Sequence, residues 1–189
     1  MDRDCILCIF NFSNHEAIQE LEAEWQPIAE AGFRSSLDSG RVYLHPFPME
    51  IVQSPSRVLM IFEFDHYIRQ IWTDGRPHDT SLGPTWFGDS IGHWDGDTLV
   101  VDTIGFNDKT WADRGGHPHS EDLHVVERMR RVDSKTLQID VTIEDPKAYT
   151  KPWGGRMMFD LRPNWHISEM VCEDNVNFDD FLKNEKPKK

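Results

Sequence analysis

The chain is short of cysteine, short of positive charge and without a long apolar run, and each shortage removes a class of function. Three cysteines in 189 residues do not make a disulfide framework. Cys5 and Cys8 have the C-x-x-C spacing, but no second pair or histidine cluster follows nearby, so ordinary reduced thiols are expected. The 20 basic residues face 33 acidic ones, a formal charge of −13. Binding a phosphate backbone needs clustered Lys and Arg. The only such cluster is the terminal KNEKPKK, read as a solvated tail, so no nucleic-acid partner is expected. No stretch approaches the roughly 18 apolar residues of a membrane span. The opening MDRDCILCIFNF carries acidic residues and only a short apolar run, unlike a normal signal peptide. The expectation is a soluble, cytoplasmic chain with no membrane partner. Also missing are a G-x-S-x-G nucleophile elbow, a phosphate loop and a G-x-G-x-x-G after a strand, so no organic cofactor is expected.

What is present is enough for a core: 38% hydrophobic residues, with seven Trp and eleven Phe, in a length that suits one domain. Residues 13–31 carry a helix signature, with Ser13 and Glu16 as a capping box, Pro27 as an early stop and Gly32 as a C-terminal one. Residues 33–55 read as irregular, punctuated by Pro46, Pro48 and Pro55. The period then changes to two. Strands are expected at 57–64, 67–73, 90–94, 98–106, 124–132, 137–144, 156–161 and 166–171, paired by four short connections. The predicted fold is mostly β: a single-domain antiparallel eight-stranded meander closed as a lipocalin-like barrel, with a sandwich as the alternative and an N-terminal helix in front. Eight strands enclose an interior about wide enough for one ligand. The chain divides into a lead-in (1–45), the barrel domain (46–175) and a polar tail (176–189).

In such a meander the short connections share one end, and the long loops 74–89, 105–122 and 145–155 share the other. Long loops on a rigid scaffold concentrate binding groups. These contain Trp86, Trp111, Tyr149, Trp153, His78, His117 and His119. The four aromatics suit the mouth of a pocket for an apolar small molecule, with Arg69 and His78 as further substrate contacts. The plainer alternative is that they pin the loops to the body.

Three constellations carry acid–base or metal chemistry. With Asp95-Gly96 as the two turn residues of a hairpin, Asp89 opposes Asp102 and His93 shares their face. Opposed like charges are unfavourable. Buried, one carboxyl of the pair would hold a proton beside a general base, with His93 as relay. The other face, with Trp94, Leu99 and Val101, competes for the core. Glu127 is the second candidate: it lies across from Val141 in line with Leu137, Ile139 and Ile143, an inward face that would desolvate a lone carboxylate. Third, His117, His119 and His124 form an H-x-H with a later His, a metal-ligand pattern that Pro118 weakens.

The blocks PTWFGDSIGHWDGDTLVVDTIGFNDKTW, GHPHSEDLHVVERMRRVDSKTL and TIEDPKAYTKPW resemble a large group of uncharacterised bacterial proteins, over roughly residues 47–175. The resemblance implies that this region is one domain and carries no activity across. Members of such groups often begin with an export signal, which this chain does not show.

The first functional expectation is a cofactor-independent acid–base enzyme, of isomerase, cyclase, dehydratase or other lyase type, acting on an apolar small molecule in the barrel. Asp89 and Asp102 would be the acid–base pair, His93 or His119 the relay and Glu127 the spare carboxylate. The alternatives are a lipocalin-like binding protein without catalysis, and a mononuclear metal enzyme using His117, His119 and His124. Beyond the small molecule, the one further partner considered is a second copy of the chain.

Overall fold

The computed structural model describes residues 7–12, 47–113 and 116–169, whose regular structure is β-strand apart from one short 3-10 turn. The strands are β1 (Leu7–Phe12), β2 (Met49–Ser54), β3 (Arg57–Phe62), β4 (Ile68–Trp72), β5 (Asp89–Asp95), β6 (Thr98–Ile104), β7 (His124–Arg131), β8 (Thr136–Glu144) and β9 (Trp153–Leu161). One turn of 3-10 helix, Phe64–His66, joins β3 to β4. Each strand pairs with its neighbours in sequence, and β9 pairs with β1, so the order closes into a barrel and not a sandwich.

The period-two pattern explains the inside. Interior rows run Trp94, Leu99, Met129, Ile139, Met157 and, one step along, Gly92, Val101, Glu127, Val141, Gly155. Met60, Ile71, Leu99, Val101, Leu137 and Ile139 are all 0% exposed, and with Met49, Ile51, Val58, Phe62, Met129, Met157 and Phe159 they form the main core. Val, Ile, Leu and Met on alternate positions suit a pleated surface with one buried side.

Seven of the eight expected strands are β3 to β9. The eighth is not formed: residues 166–169 are irregular, and β1 takes the place beside β9 through Phe10↔Leu161, Asn11↔Asp160 and Phe12↔Phe159. β2 lies in the stretch read as irregular, where Pro48 and Pro55 bracket the alternation Met49, Ile51, Gln53. The helix expected at 13–31 and the tail at 176–189 lie outside the described residues, as do Cys5 and Cys172.

The simple meander also fails at one seam. β4 and β5 run parallel, held by only Ile71↔Ser90 and Trp72↔Ile91. Residues 73–88 are therefore a crossover: they leave β4 at one end of the barrel and return to the other. The β2–β3, β5–β6 and β7–β8 turns share the first end. The β3–β4 connection, although short, lies at the second, with the long loops 105–123 and 145–152.

The hairpin register shifts too. Asp95 pairs with Thr98, so the turn residues are Gly96 and Asp97, and Gly96 has φ +59°. A left-handed glycine at the first turn position is the II′ arrangement, which fits strand twist. Asp89 then opposes Ile104, and Asp102 opposes Ile91. Because the shift is two residues, the carboxylates keep a common face; they are no longer directly opposed.

Candidate functional site at the loop end of the barrel

That common face is the outer wall. Ser90, Gly92 and Trp94 point inward with Leu99, Val101 and Thr103, so Asp89, Ile91 and His93 point outward with Asp102 and Ile104. The expectation of Asp89 and Asp102 as a pair buried inside the barrel is thereby corrected: the inward face was claimed by the apolar residues of the same hairpin. They are not simply in water, however. The crossover brings His78 between them, its Nδ1 2.8 Å from Asp89 Oδ2 and its Nε2 2.8 Å from Asp102 Oδ1. The backbone N–H of Asp79 donates to Asp89 Oδ2 at 3.1 Å. On the far side His124 Nε2 stands 2.8 Å from Asp102 Oδ2, and its Nδ1 3.4 Å from Glu144 Oε2.

The result is a chain of five titratable groups, Asp89, His78, Asp102, His124 and Glu144, drawn from four strands and the crossover. Side-chain exposure ranges from 18% at His78 to 48% at Glu144. Partial burial pushes the Asp102 carboxyl up, but the hydrogen bonds from His124 and His78 outweigh it and hold the group below its ordinary value. Burial likewise pushes His124 down, and Asp102 and then Glu144 more than reverse this, leaving it above the ordinary imidazole value. His93, exposed and farther along β5 toward the turn, is not part of the chain.

Inside the barrel the second polar group is Glu127, facing inward across from Val141 as its periodicity predicts. It is not a lone carboxylate. Arg69, 2% exposed, grips it with Nη1 on Oε1 at 2.9 Å and Nη2 on Oε2 at 2.5 Å. Arg69 also donates from Nε to Ser90 Oγ at 3.2 Å and from Nη2 to Thr103 Oγ1 at 2.9 Å. Ser90 and Thr103 were missed in the sequence. Their signal was parity: each stands two residues from an inward position, Gly92 or Val101.

The long loops are tied together by Asp145, whose Oδ2 accepts from the Ser120 N–H at 2.5 Å and whose Oδ1 accepts from Ser120 Oγ at 2.9 Å and the Lys147 N–H at 3.0 Å. Partial burial raises its carboxyl, but these donors bring it below its ordinary value. Tyr149 donates its hydroxyl to Pro118 O at 2.5 Å, and its ring meets Trp153 edge-on at 5.4 Å. Burial, then the negative charges of Asp113 and Asp145, push the Tyr149 phenol well up, so it stays a neutral donor. Trp153 in turn packs with Tyr149 against Phe106, Leu123, Val125 and Ile143. Trp111 bridges to Pro118, while Trp86 on the crossover is 37% exposed. Of the four expected mouth aromatics, then, Tyr149 and Trp153 meet directly.

The three histidines of the metal pattern do not converge. His117 donates Nδ1–H to Asp113 and sets its ring edge-on to Trp153. His119 accepts the Thr110 hydroxyl on Nε2 at 2.8 Å and donates from Nδ1 to Ser120 O at 3.1 Å, which fixes its tautomer. His124 belongs to the outer-wall chain. Among the described residues no three His, Cys, Asp or Glu side chains form a metal cage. His119 is thus a buried strut, away from a relay role.

Interior exposure is uneven. Val141, Gly155 and Trp153, facing inward toward the loop end, are only partly buried, as are Gly92 and Trp94 toward the tight turn. At the loop end the buried cluster Phe106, Leu123, Val125 and Ile143 carries Val141, Tyr149 and Trp153 packed against it, and the Arg69–Glu127 pair lies buried beside it. No model of a known protein family matches the chain, and no functionally curated protein matches it.

Proposed function

We propose that the chain is a lipocalin-like binding protein that takes an apolar small molecule into the loop-end half of its barrel. The carrying observation is the residual exposure of inward-facing Val141, Gly155 and Trp153 above a sealed core. Their surroundings have the composition of a ligand site: aromatic and aliphatic walls with a few placed polar groups, here Arg69, Glu127, Ser90 and Thr103. A ligand entering there covers Val141 and stacks against Trp153.

The test is titration with the fluorescent apolar probe 1-anilinonaphthalene-8-sulfonate, on the native chain and on Val141→Trp, which fills the space. Native protein should bind with a Kd on the order of 10 μM, about −7 kcal/mol. The filled variant should bind at least about tenfold more weakly with unchanged far-UV dichroism. Equal binding by both would sink the interior site.

An acid–base enzyme is the second reading. The observation in its favour is the partly exposed His124 imidazole, held above its ordinary value next to a carboxylate held below its own, a proton donor beside an acceptor. On this reading the substrate sits on the outer wall over Asp102, and Asp102→Asn abolishes turnover.

A further inference from the structure

We propose that the ligand of the interior site carries an acceptor oxygen, of carbonyl or ether kind, that takes the Trp153 indole N–H. This rests on the binding reading above and adds a chemical class to it: apolar molecules with one such oxygen, not plain hydrocarbons.

An unpaired donor marks the place. Among the described residues three buried side-chain polar atoms lack a hydrogen-bond partner: Gln53 Oε1, Arg162 Nε and Trp153 Nε1. The first two have another recourse. The Gln53 amide can exchange its oxygen and nitrogen by a half-turn. Arg162 keeps a bond from Nη2 to Asp160 Oδ2 at 3.0 Å. Indole has one polar atom, and that atom can only donate. Burying it unmatched opposes folding, and the large majority of such groups in folded proteins find a partner. Trp153 as a residue is only partly buried, yet Nε1 itself is shielded from solvent, so bulk water does not meet the need.

The surroundings leave the acceptor to a ligand. Trp153 opens β9 and faces inward across from Ile143, packed on the cluster of Phe106, Leu123, Val125 and Ile143. Its two polar ring neighbours are engaged elsewhere. Tyr149, 5.4 Å away, donates its hydroxyl to Pro118 O, and His117, 5.8 Å away, holds Asp113. A buried water would need two to four polar partners, which an apolar cluster does not supply.

The same strand gives a ligand its approach. Gly155 is next on the inward face, only partly buried, and presents bare backbone between Trp153 and Met157. A strand glycine often marks a place where a ligand comes close. Val141, across from Gly155, is the partly buried wall that the apolar body of the ligand covers. Two positions along a strand span roughly 7 Å, so a molecule lying over Val141 and Gly155 has the indole edge within reach. Apolar walls then supply the contact area, and one placed donor fixes the orientation.

The test titrates the full chain with a matched pair, 2-acetylnaphthalene and its hydrocarbon isostere 2-isopropenylnaphthalene. Proton–nitrogen NMR follows Trp153 Nε1–H among the signals of the seven tryptophans, while the Val141 methyl groups report occupancy of the interior. The ketone should move the Trp153 proton downfield, saturating together with the Val141 shift. The isostere should shift Val141 without that downfield movement. Trp153→Phe should weaken the ketone about tenfold, the scale of one hydrogen bond, and the isostere by at most about threefold. Suppose instead that Val141 shifts while the ketone leaves the Trp153 proton in place, or that Trp153→Phe weakens both probes equally. Either result would overturn the anchor and leave the binding reading standing. Val141 unmoved by both probes would remove the binding reading and the anchor with it. If the variant does not fold, the shift in the native chain decides by itself.

Discussion

Replacing Arg69 with methionine should cost about 3–5 kcal/mol of stability, the range found when one partner of a buried ion pair is removed. Glu127 is 2% exposed and takes both of its oxygens to the Arg69 guanidinium. Without it the carboxylate keeps no cation and must either stay charged in the interior or take up a proton. Ser90 and Thr103 would lose the same donor. For a chain of this length the melting temperature should drop by roughly 10 °C or more. The double replacement Arg69→Met with Glu127→Leu should recover most of that, because a buried ion pair is seldom more stable than well-packed apolar groups. Thermal unfolding followed by circular dichroism measures both. A single variant within about 2 °C of the native chain would mean that water already reaches the pair. The pair's value then lies in what it specifies: it fixes four buried side chains from four strands, Arg69, Ser90, Thr103 and Glu127.

The second large effect belongs to a glycine on the outer wall. A Cβ at Gly154 would lie 1.9 Å from the Val141 carbonyl oxygen and 2.9 Å from its carbonyl carbon. Both are backbone atoms of the neighbouring strand, so no side chain can swing away to make room. Gly154→Ala must push β8 and β9 apart where Val141↔Gly155 and Thr142↔Gly154 pair. Overpacking usually costs about 1–3 kcal/mol, and a clash with fixed backbone belongs at or above the top of that range. It should also distort the proposed site directly, since Val141 and Gly155 belong to it. Gly75→Ala is the control. Gly75 has φ +81° with nothing within 4 Å of the added carbon, so its cost should be the left-handed strain alone, on the order of 1 kcal/mol. Equal melting temperatures for the two variants would contradict the close approach at Gly154.

Much of this fold is written in period-two alternation, and where that pattern is clean the strands are where it puts them. β7 and β8 are the best case: Val125, Glu127 and Met129 face Ile143, Val141 and Ile139 as parity requires. Turn chemistry read less well. Asp95-Gly96 and Gly96-Asp97 both contain a favoured turn glycine with positive φ, and only the Asp95↔Thr98 pairing decides between them. The crossover was illegible for a different reason. A long loop between two strands is compatible with either end of the sheet, and only the Ile71↔Ser90 pairing decides it. The site suffered accordingly. Asp89 and Asp102 read as a pair on one face of the hairpin, but the group that links them is His78, from the loop whose path the pattern does not show. Glu127 was placed inward correctly, while Arg69 was noted without its partner, because their contact spans 58 positions in sequence. No local pattern records a contact of that range.

Methyl-detected NMR during titration with 1-anilinonaphthalene-8-sulfonate addresses the interior site most directly. Val141, Val125 and Ile143 face inward at the loop end, whereas Ile91, Ile104 and Val126 stand on the outer wall around Asp102. If the ligand enters the barrel, the first three methyl groups shift and saturate together while the second three stay in place. Shifts confined to Ile91, Ile104 and Val126 would put the ligand on the outer wall and contradict an interior site.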